Sequence, residues 1–312
     1  MGSSAPTSVV ICEVGPRDGL QNEQIILSVD EKATLIDRLS LTGLQRIEVA
    51  SFVSPRRVPQ MADAEEVLKR ITRRPGIVYA GLVLNDHGAA RAISAGVDQI
   101  HFALVATETF NQRNQGASVA ESLREFERIV VRARQAGVSC TAAIGAAFGC
   151  PFEGPVPAER VWSMARALFD AGAVEIVLAD TIGVGVPSQV KTLVGGLRKH
   201  VNVDLPIGCH FHNTRNTGLA NAYAAIEAGV RVLDASIGGS GGCPFAPRAT
   251  GNVPTEDLAY MVRQMGVPTG LDIVTLIETA QWLEQLLQHR LPGMVMKAGL
   301  FPEVVEETKT TA

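Results

Sequence analysis

Five helix-like stretches of this chain end alike, in Thr42-Gly43-Leu44, Ala95-Gly96-Val97, Ala136-Gly137-Val138, Ala171-Gly172-Ala173 and Ala228-Gly229-Val230. Each is followed within a few residues by a short apolar or β-branched run. Glycine tolerates the left-handed backbone that stops a helix and sends the chain into a strand. The repeated unit is therefore helix, glycine, strand, and a chain built from such units lays its strands parallel.

Eight apolar runs are candidate strands, at residues 9–14, 46–50, 77–84, 99–105, 139–143, 175–179, 206–212 and 231–237. Helical patterns separate them, and Ser28 with Glu31 and Ser118 with Glu121 have the spacing of capping boxes. Eight such units predict an α/β fold, a closed (β/α)8 TIM barrel. An open doubly wound sheet competes with it, but that fold more often has five or six strands and a glycine-rich phosphate cradle after the first. The turn here reads Gly15-Pro16-Arg17-Asp18-Gly19, which is no such cradle. Apolar positions Ile273, Leu276, Ile277, Ala280, Leu283, Leu286 and Leu287 predict an additional C-terminal helix over residues 271–290. The expected organisation is a disordered leader at 1–8, one catalytic domain at 9–300 that includes this helix, and a flexible tail at 301–312.

At 312 residues the chain suits one barrel with additions. Twenty-eight Lys and Arg against thirty-two Asp and Glu leave a net charge of −4, with the basic residues dispersed. That pattern points away from nucleic acid and membrane surfaces and toward a small-molecule substrate. Five cysteines without paired spacing predict a reducing, cytoplasmic location. No signal-peptide pattern and no membrane-length apolar run is present.

In such barrels the active site forms at the C-terminal ends of the strands, and polar residues recur there: Arg17 and Asp18, Glu48, Asn85, Asp180, then His210 and His212. Alternation along a strand puts His210 and His212 on one face, where both can grip one ion. With Asp18 and Asn252 as oxygen donors, the set suits Mg²⁺ or Mn²⁺ better than structural Zn²⁺; an Fe(II) site of two histidines and a carboxylate stays open. Arg17 reads as a fixed cation for a carbonyl on which negative charge grows, against the alternative of a surface ion pair. Cys243 lies in the glycine-rich segment 237–245 and reads either as a mobile proton donor or as a small apolar residue. Asp180 has the competing reading of a helix cap.

These motifs resemble the hydroxymethylglutaryl-CoA lyase family, a branch of metal-dependent barrel lyases and Claisen-type synthases. The likeness spans about residues 9–270 and is most specific in EVGPRDGLQNE from Glu13, ASFVSPRRVPQM from Ala50, FGCPFEG from Phe148, ADTIGVG from Ala179 and GGSGGCPFAPRATGNVPTED from Gly238. The resemblance implies that Asp18, His210, His212 and Asn252 bind the divalent cation, that Arg17 holds a thioester carbonyl, and that Cys243 is the mobile-loop cysteine. Glu48, Asp180 and Glu256 match polar residues around the family's site. The implied reaction is retro-Claisen cleavage of a 3-hydroxyacyl-CoA, hydroxymethylglutaryl-CoA first, as in leucine degradation, with His210 as the base. A homodimer and an acyl-CoA ligand are implied as well.

The chain departs from the family pattern. His210-Phe211-His212-Asn213-Thr214-Arg215-Asn216 stands where His-Cys-His-Asp-Thr-Tyr-Gly is usual, Ser240 replaces a leucine and Phe245 a tyrosine. Arg215 is therefore expected to contact a substrate carboxylate or CoA phosphate, with Asn85 near the same ligand. The departures put the acyl group in question and leave citramalyl-CoA or a longer branched glutaryl-CoA as alternative substrates. Three other classes compete. A condensing synthase usually carries further C-terminal regions; a barrel hydrolase usually has its His-x-His after the first strand; a binding protein that lost its chemistry would not need the full donor set.

Overall fold

A computed structural model describes residues 8–242 and 251–301. Cys243, all of the expected leader but Ser8 and all of the expected tail but Phe301 lie outside the described residues.

Eight strands close into one parallel barrel in sequential order. They are β1 (Val10–Glu13), β2 (Arg46–Ser51), β3 (Val78–Val83), β4 (Gln99–Val105), β5 (Ser139–Gly145), β6 (Ile176–Asp180), β7 (Ile207–Phe211) and β8 (Val232–Ala235). Each falls on an expected run. The first helices are α1 (Val29–Leu39), α2 (Ala64–Arg70), α3 (Asp86–Ala95), α4 (Glu108–Gln115) and α5 (Val119–Gln135). They are followed by α6 (Ala158–Ala171), α7 (Pro187–His200), α8 (Gly218–Glu227), α9 (Thr255–Gln264), α10 (Ile273–Leu287) and α11 (Val295–Ala298). The additional C-terminal helix is α10. The fold is a TIM barrel.

The punctuation glycines behave as their chemistry requires: Gly43, Gly96, Gly137, Gly172 and Gly229 all have φ between 71° and 118°. A side chain would be strained at each. Both expected capping boxes form, at Ser28 with Glu31 and at Ser118 with Glu121. Strands β6 and β7 are buried at every position, on the helix side and on the axis side. Register decides which residues face the axis. On β7 the interior set is Gly208 and His210, continued by His212, while Cys209 and Phe211 pack toward helices. Low in the barrel, Arg46 grips Glu175 through two hydrogen bonds of 2.8 and 3.2 Å, which leaves the upper end open for a site. No helix among the described residues is long and apolar enough to cross a membrane.

Candidate metal centre and active site

The chain leaves β1 into a tight turn, Gly15–Gly19, whose backbone N–H groups at Arg17, Asp18 and Gly19 all donate to the Val14 carbonyl. This turn aims Arg17 and Asp18 at the barrel axis. Gly15 is required there: a Cβ would stand 2.6 Å from Glu13 Oε1. Glu13 itself, fully buried, accepts from Gly15 N and from Ile237 N, and its other oxygen takes the Thr255 hydroxyl at 2.6 Å. One carboxylate thus ties the turn after β1 to the turn after β8. Burial outweighs these hydrogen bonds and pushes the Glu13 carboxyl up to about 7.

Asp18, His210 and His212 converge. Asp18 Oδ2 lies 3.9 Å from His210 Nε2 and 4.0 Å from His212 Nε2, and the two Nε2 atoms are 3.1 Å apart. Asn252 arrives through an antiparallel bridge opposite His212, flanked by hydrogen bonds from Asn213 N to Gly251 O and from Val253 N to Phe211 O. Its Nδ2 donates to Asp18 Oδ2 at 2.9 Å and to the Ser240 carbonyl at 3.1 Å. The four residues expected to share an ion therefore meet.

The donor set fits a cation. Asp18, His210 and His212 each offer a ligand atom within 4.8 Å of the others. Asn252 Oδ1 is buried and finds no hydrogen-bond partner among the described residues. Two buried imidazole nitrogens at 3.1 Å repel unless a proton or a cation is shared between them. Burial and the neighbouring His210 push His212 down to about 4, so its ring is a neutral lone-pair donor near neutral pH. Burial opposes a charge on His210, but the Asp234 hydrogen bond and Asp18 outweigh it and raise its pKa. Asp234 Oδ2 sits 3.2 Å from His210 Nδ1; a proton held there leaves Nε2 free to ligate.

Arg17 is buried beside this cluster. Its Nε and Nη2 donate to the two oxygens of Glu48 at 2.8 and 2.9 Å, and Nη1 donates to Asp18 Oδ1. Burial alone raises a carboxyl, but Arg17 and His101 hold Glu48 at about 2. Arg17 and Glu48 thus remain charged and fixed, a preorganised positive site next to the metal donors. His101, on β4, lies 3.5 Å through Nδ1 from Glu48 Oε2, and its buried Nε2 has no partner among the described residues.

A cavity of about 480 Å³ opens above these groups, lined by Arg17, Asp18, His101, His210, His212 and Asp234 among others. Of the expected site residues, Glu48 and Asn252 stand behind Arg17 and Asp18 rather than on its wall, and Asp180, Asn85 and Arg215 are not brought to it. Asp180 follows Ala179, whose side chain faces the axis, so its own points outward and accepts from Val184 N and Gly185 N at 2.9 and 2.8 Å. Asn85 caps α3 by accepting from Gly88 N at 2.8 Å. Arg215 spends Nη1 on the Ile182 and Gly183 carbonyls and borders a separate shallow depression. Glu256 accepts from Gly238 N at 3.0 Å, beneath the glycine-rich segment, and burial lifts it to about 8. Asp234 and His101 were missed in the sequence. A strand-end position two residues before Ser236 was the only signal for the former.

A closed parallel barrel in which two histidines, a carboxylate and a buried arginine converge defines a TIM-barrel enzyme with a candidate metal site. The HMGL-like family matches residues 8–283, and the chain belongs to it. It is 44% identical over 309 residues to an (R)-citramalyl-CoA lyase of Chloroflexus aurantiacus, covering 96% of this chain and 97% of that protein. The crystal structure of the Bacillus subtilis HMG-CoA lyase superposes with a TM-score of 0.92 at 40% identity, over 95% of this chain and 99% of that one. An HMG-CoA lyase from Acinetobacter baumannii, in complex with coenzyme A and 3-methylmalate, gives a TM-score of 0.91 at 41% identity, over 96% and 97%.

Proposed function

We propose that this protein is a carbon–carbon lyase that cleaves a 3-hydroxyacyl-CoA by a retro-Claisen reaction, with hydroxymethylglutaryl-CoA giving acetyl-CoA and acetoacetate. The observation that carries this reading is the fixed Arg17 beside the convergent Asp18, His210 and His212. These three residues, with Asn252 Oδ1, are the assigned holders of a divalent cation, Mg²⁺ or Mn²⁺. Such a cation, when bound, lowers the pKa of a coordinated hydroxyl.

The chain's own groups do the rest. With His210 Nε2 assigned to the cation and its Nδ1 proton shared with Asp234, His210 keeps no lone pair for the role of base expected of it, and proton removal from the hydroxyl is assigned to the Asp234 carboxylate, which lines the cavity. As the carbon–carbon bond breaks, a keto acid leaves and the electron pair passes into a thioester enolate, whose oxygen Arg17 stabilises. Protonation of the enolate carbon is assigned to Cys243 from the likeness to the family, in which it matches the mobile-loop cysteine.

The test is incubation with Mg²⁺ and the thioester, following acetoacetate and acetyl-CoA. Equimolar release that is lost in His212→Ala supports the reading. No cleavage of any 3-hydroxyacyl-CoA overturns it. A second reading, cleavage of citramalyl-CoA, is favoured by the 44% identity to a lyase of that name, and the same assay separates the two by rank of kcat/KM. We further infer a homodimer, testable by light scattering against the chain mass of 33.1 kDa, and a cytoplasmic location from the odd cysteine total and the four described free thiols.

A further inference from the structure

The cavity has two unlike sides. The polar side comes from β1, β7 and β8 and carries Asp18, His210, His212 and Asp234. The other side comes from β4, β5 and β6, where the axis-facing residues at the upper level are Ala103 and Val105, Ala143 and Gly145, and Ala179, all small but Val105. Bulky branched residues ordinarily fill this layer of a barrel. Register makes the small ones continuous. Ala179 pairs with His210 across β6 and β7, and Ala103 pairs with Ala143, and Val105 with Gly145, across β4 and β5. A trough therefore starts beside a metal-donor histidine and runs across three strands. Ala103, Ala143 and Gly145 are only half-buried although they sit inside the barrel, because the space before them is open.

We propose that this trough is an acyl-branch subsite and that the preferred substrate carries, on its hydroxyl-bearing carbon, an unbranched or branched apolar chain longer than methyl. The inference rests on the lyase reading above. The thioester carbonyl is assigned to Arg17, on the β1 and β2 side, and the hydroxyl with the carboxylate-bearing arm to the cation-holding cluster, so the one remaining substituent of that carbon faces β6, β5 and β4. At this level those strands offer apolar contact, and the charged groups of the neighbouring wall, Arg57 and Arg113, come from the loop after β2 and from α4. Each further buried methylene contributes roughly tenfold to discrimination in a fitted apolar site.

The experiment compares kcat/KM of the Mg²⁺-loaded enzyme for hydroxymethylglutaryl-CoA and for the analogue in which butyl replaces methyl on C3. The expected result is a preference for the butyl compound of about tenfold or more. Ala143→Phe is expected to move that ratio at least tenfold toward methyl, and the milder Ala179→Val to move it the same way by a smaller factor. Equal or better use of the methyl compound by the wild-type protein overturns the proposal. So does an equal fall for both compounds in the two variants, which would assign the trough to the pantetheine arm they share. Cleavage of neither compound would overturn the lyase reading itself, and this inference with it.

Discussion

Glu48 grips Arg17 with both carboxylate oxygens, at 2.8 and 2.9 Å, and the pair is almost wholly buried. Two charges taken from water this way are worth little as a stabilising contact but a great deal as a fixed geometry. Arg17→Lys keeps the charge and loses the fork, so kcat should fall roughly 100-fold or more while the melting temperature changes modestly. Glu48→Ala leaves the buried guanidinium with Asp18 alone and should cost about 3 kcal/mol of stability in addition to activity. Steady-state kinetics and thermal melts check both; a lysine variant within threefold of wild type would contradict the assignment.

The cation prediction concerns donors and their support. Chelation should abolish cleavage and Mg²⁺ or Mn²⁺ should restore it. Asp234→Asn removes the carboxylate that orients His210, 3.2 Å from Nδ1, and should weaken Mn²⁺ binding or activity by about 10–100-fold. Calorimetric titration with Mn²⁺ reads this without any turnover. Unchanged affinity in Asp234→Asn, His212→Ala and Asn252→Ala together would remove the proposed centre.

Glu13 and Glu256 give a stability signature. Burial raises them to about 7 and about 8, whereas in the unfolded chain a glutamate titrates near roughly 4.3. The folded state therefore holds protons that the unfolded state releases. Their contribution is full below the unfolded value, is lost as pH rises through the folded values, and is gone above about pH 8. The melting temperature should drop between about pH 4 and about pH 8, and Glu256→Gln should flatten the drop. An identical slope in the variant would show that other groups set it.

His101 lines the cavity with a buried Nε2 that has no partner among the described residues, while its Nδ1 lies 3.5 Å from Glu48 Oε2. A substrate oxygen can complete that nitrogen, so His101→Ala should lower kcat/KM by roughly tenfold and leave Mn²⁺ affinity unchanged. Equal loss of both would instead make the residue a prop for Glu48.

The barrel was legible because its punctuation is local. Gly43, Gly96 and Gly172 announce helix ends by what glycine alone tolerates, and Ser28 and Ser118 announce two starts. The pairing of His210 with His212 was legible from alternation within one strand. Asp234 was not, since it meets His210 only through the register of β7 against β8, which no local pattern encodes. Asp180 carried two readings, site residue or cap, because β6 is buried at every position and no alternation shows which residues look inward. Asn85 did carry a readable signal: an Asn three residues before Gly88 can cap the helix that starts between them.

Asp18 leaves the first strand, while His210, His212 and Asn252 come from the last two strand ends, and Glu13 stitches those regions together. A ribosome must release nearly the whole domain before the donors can meet. On the assignment made above, the ion cannot be captured by a half-made chain; once held, it latches the ring where its two ends join, so cation loading reports that synthesis and closure are complete.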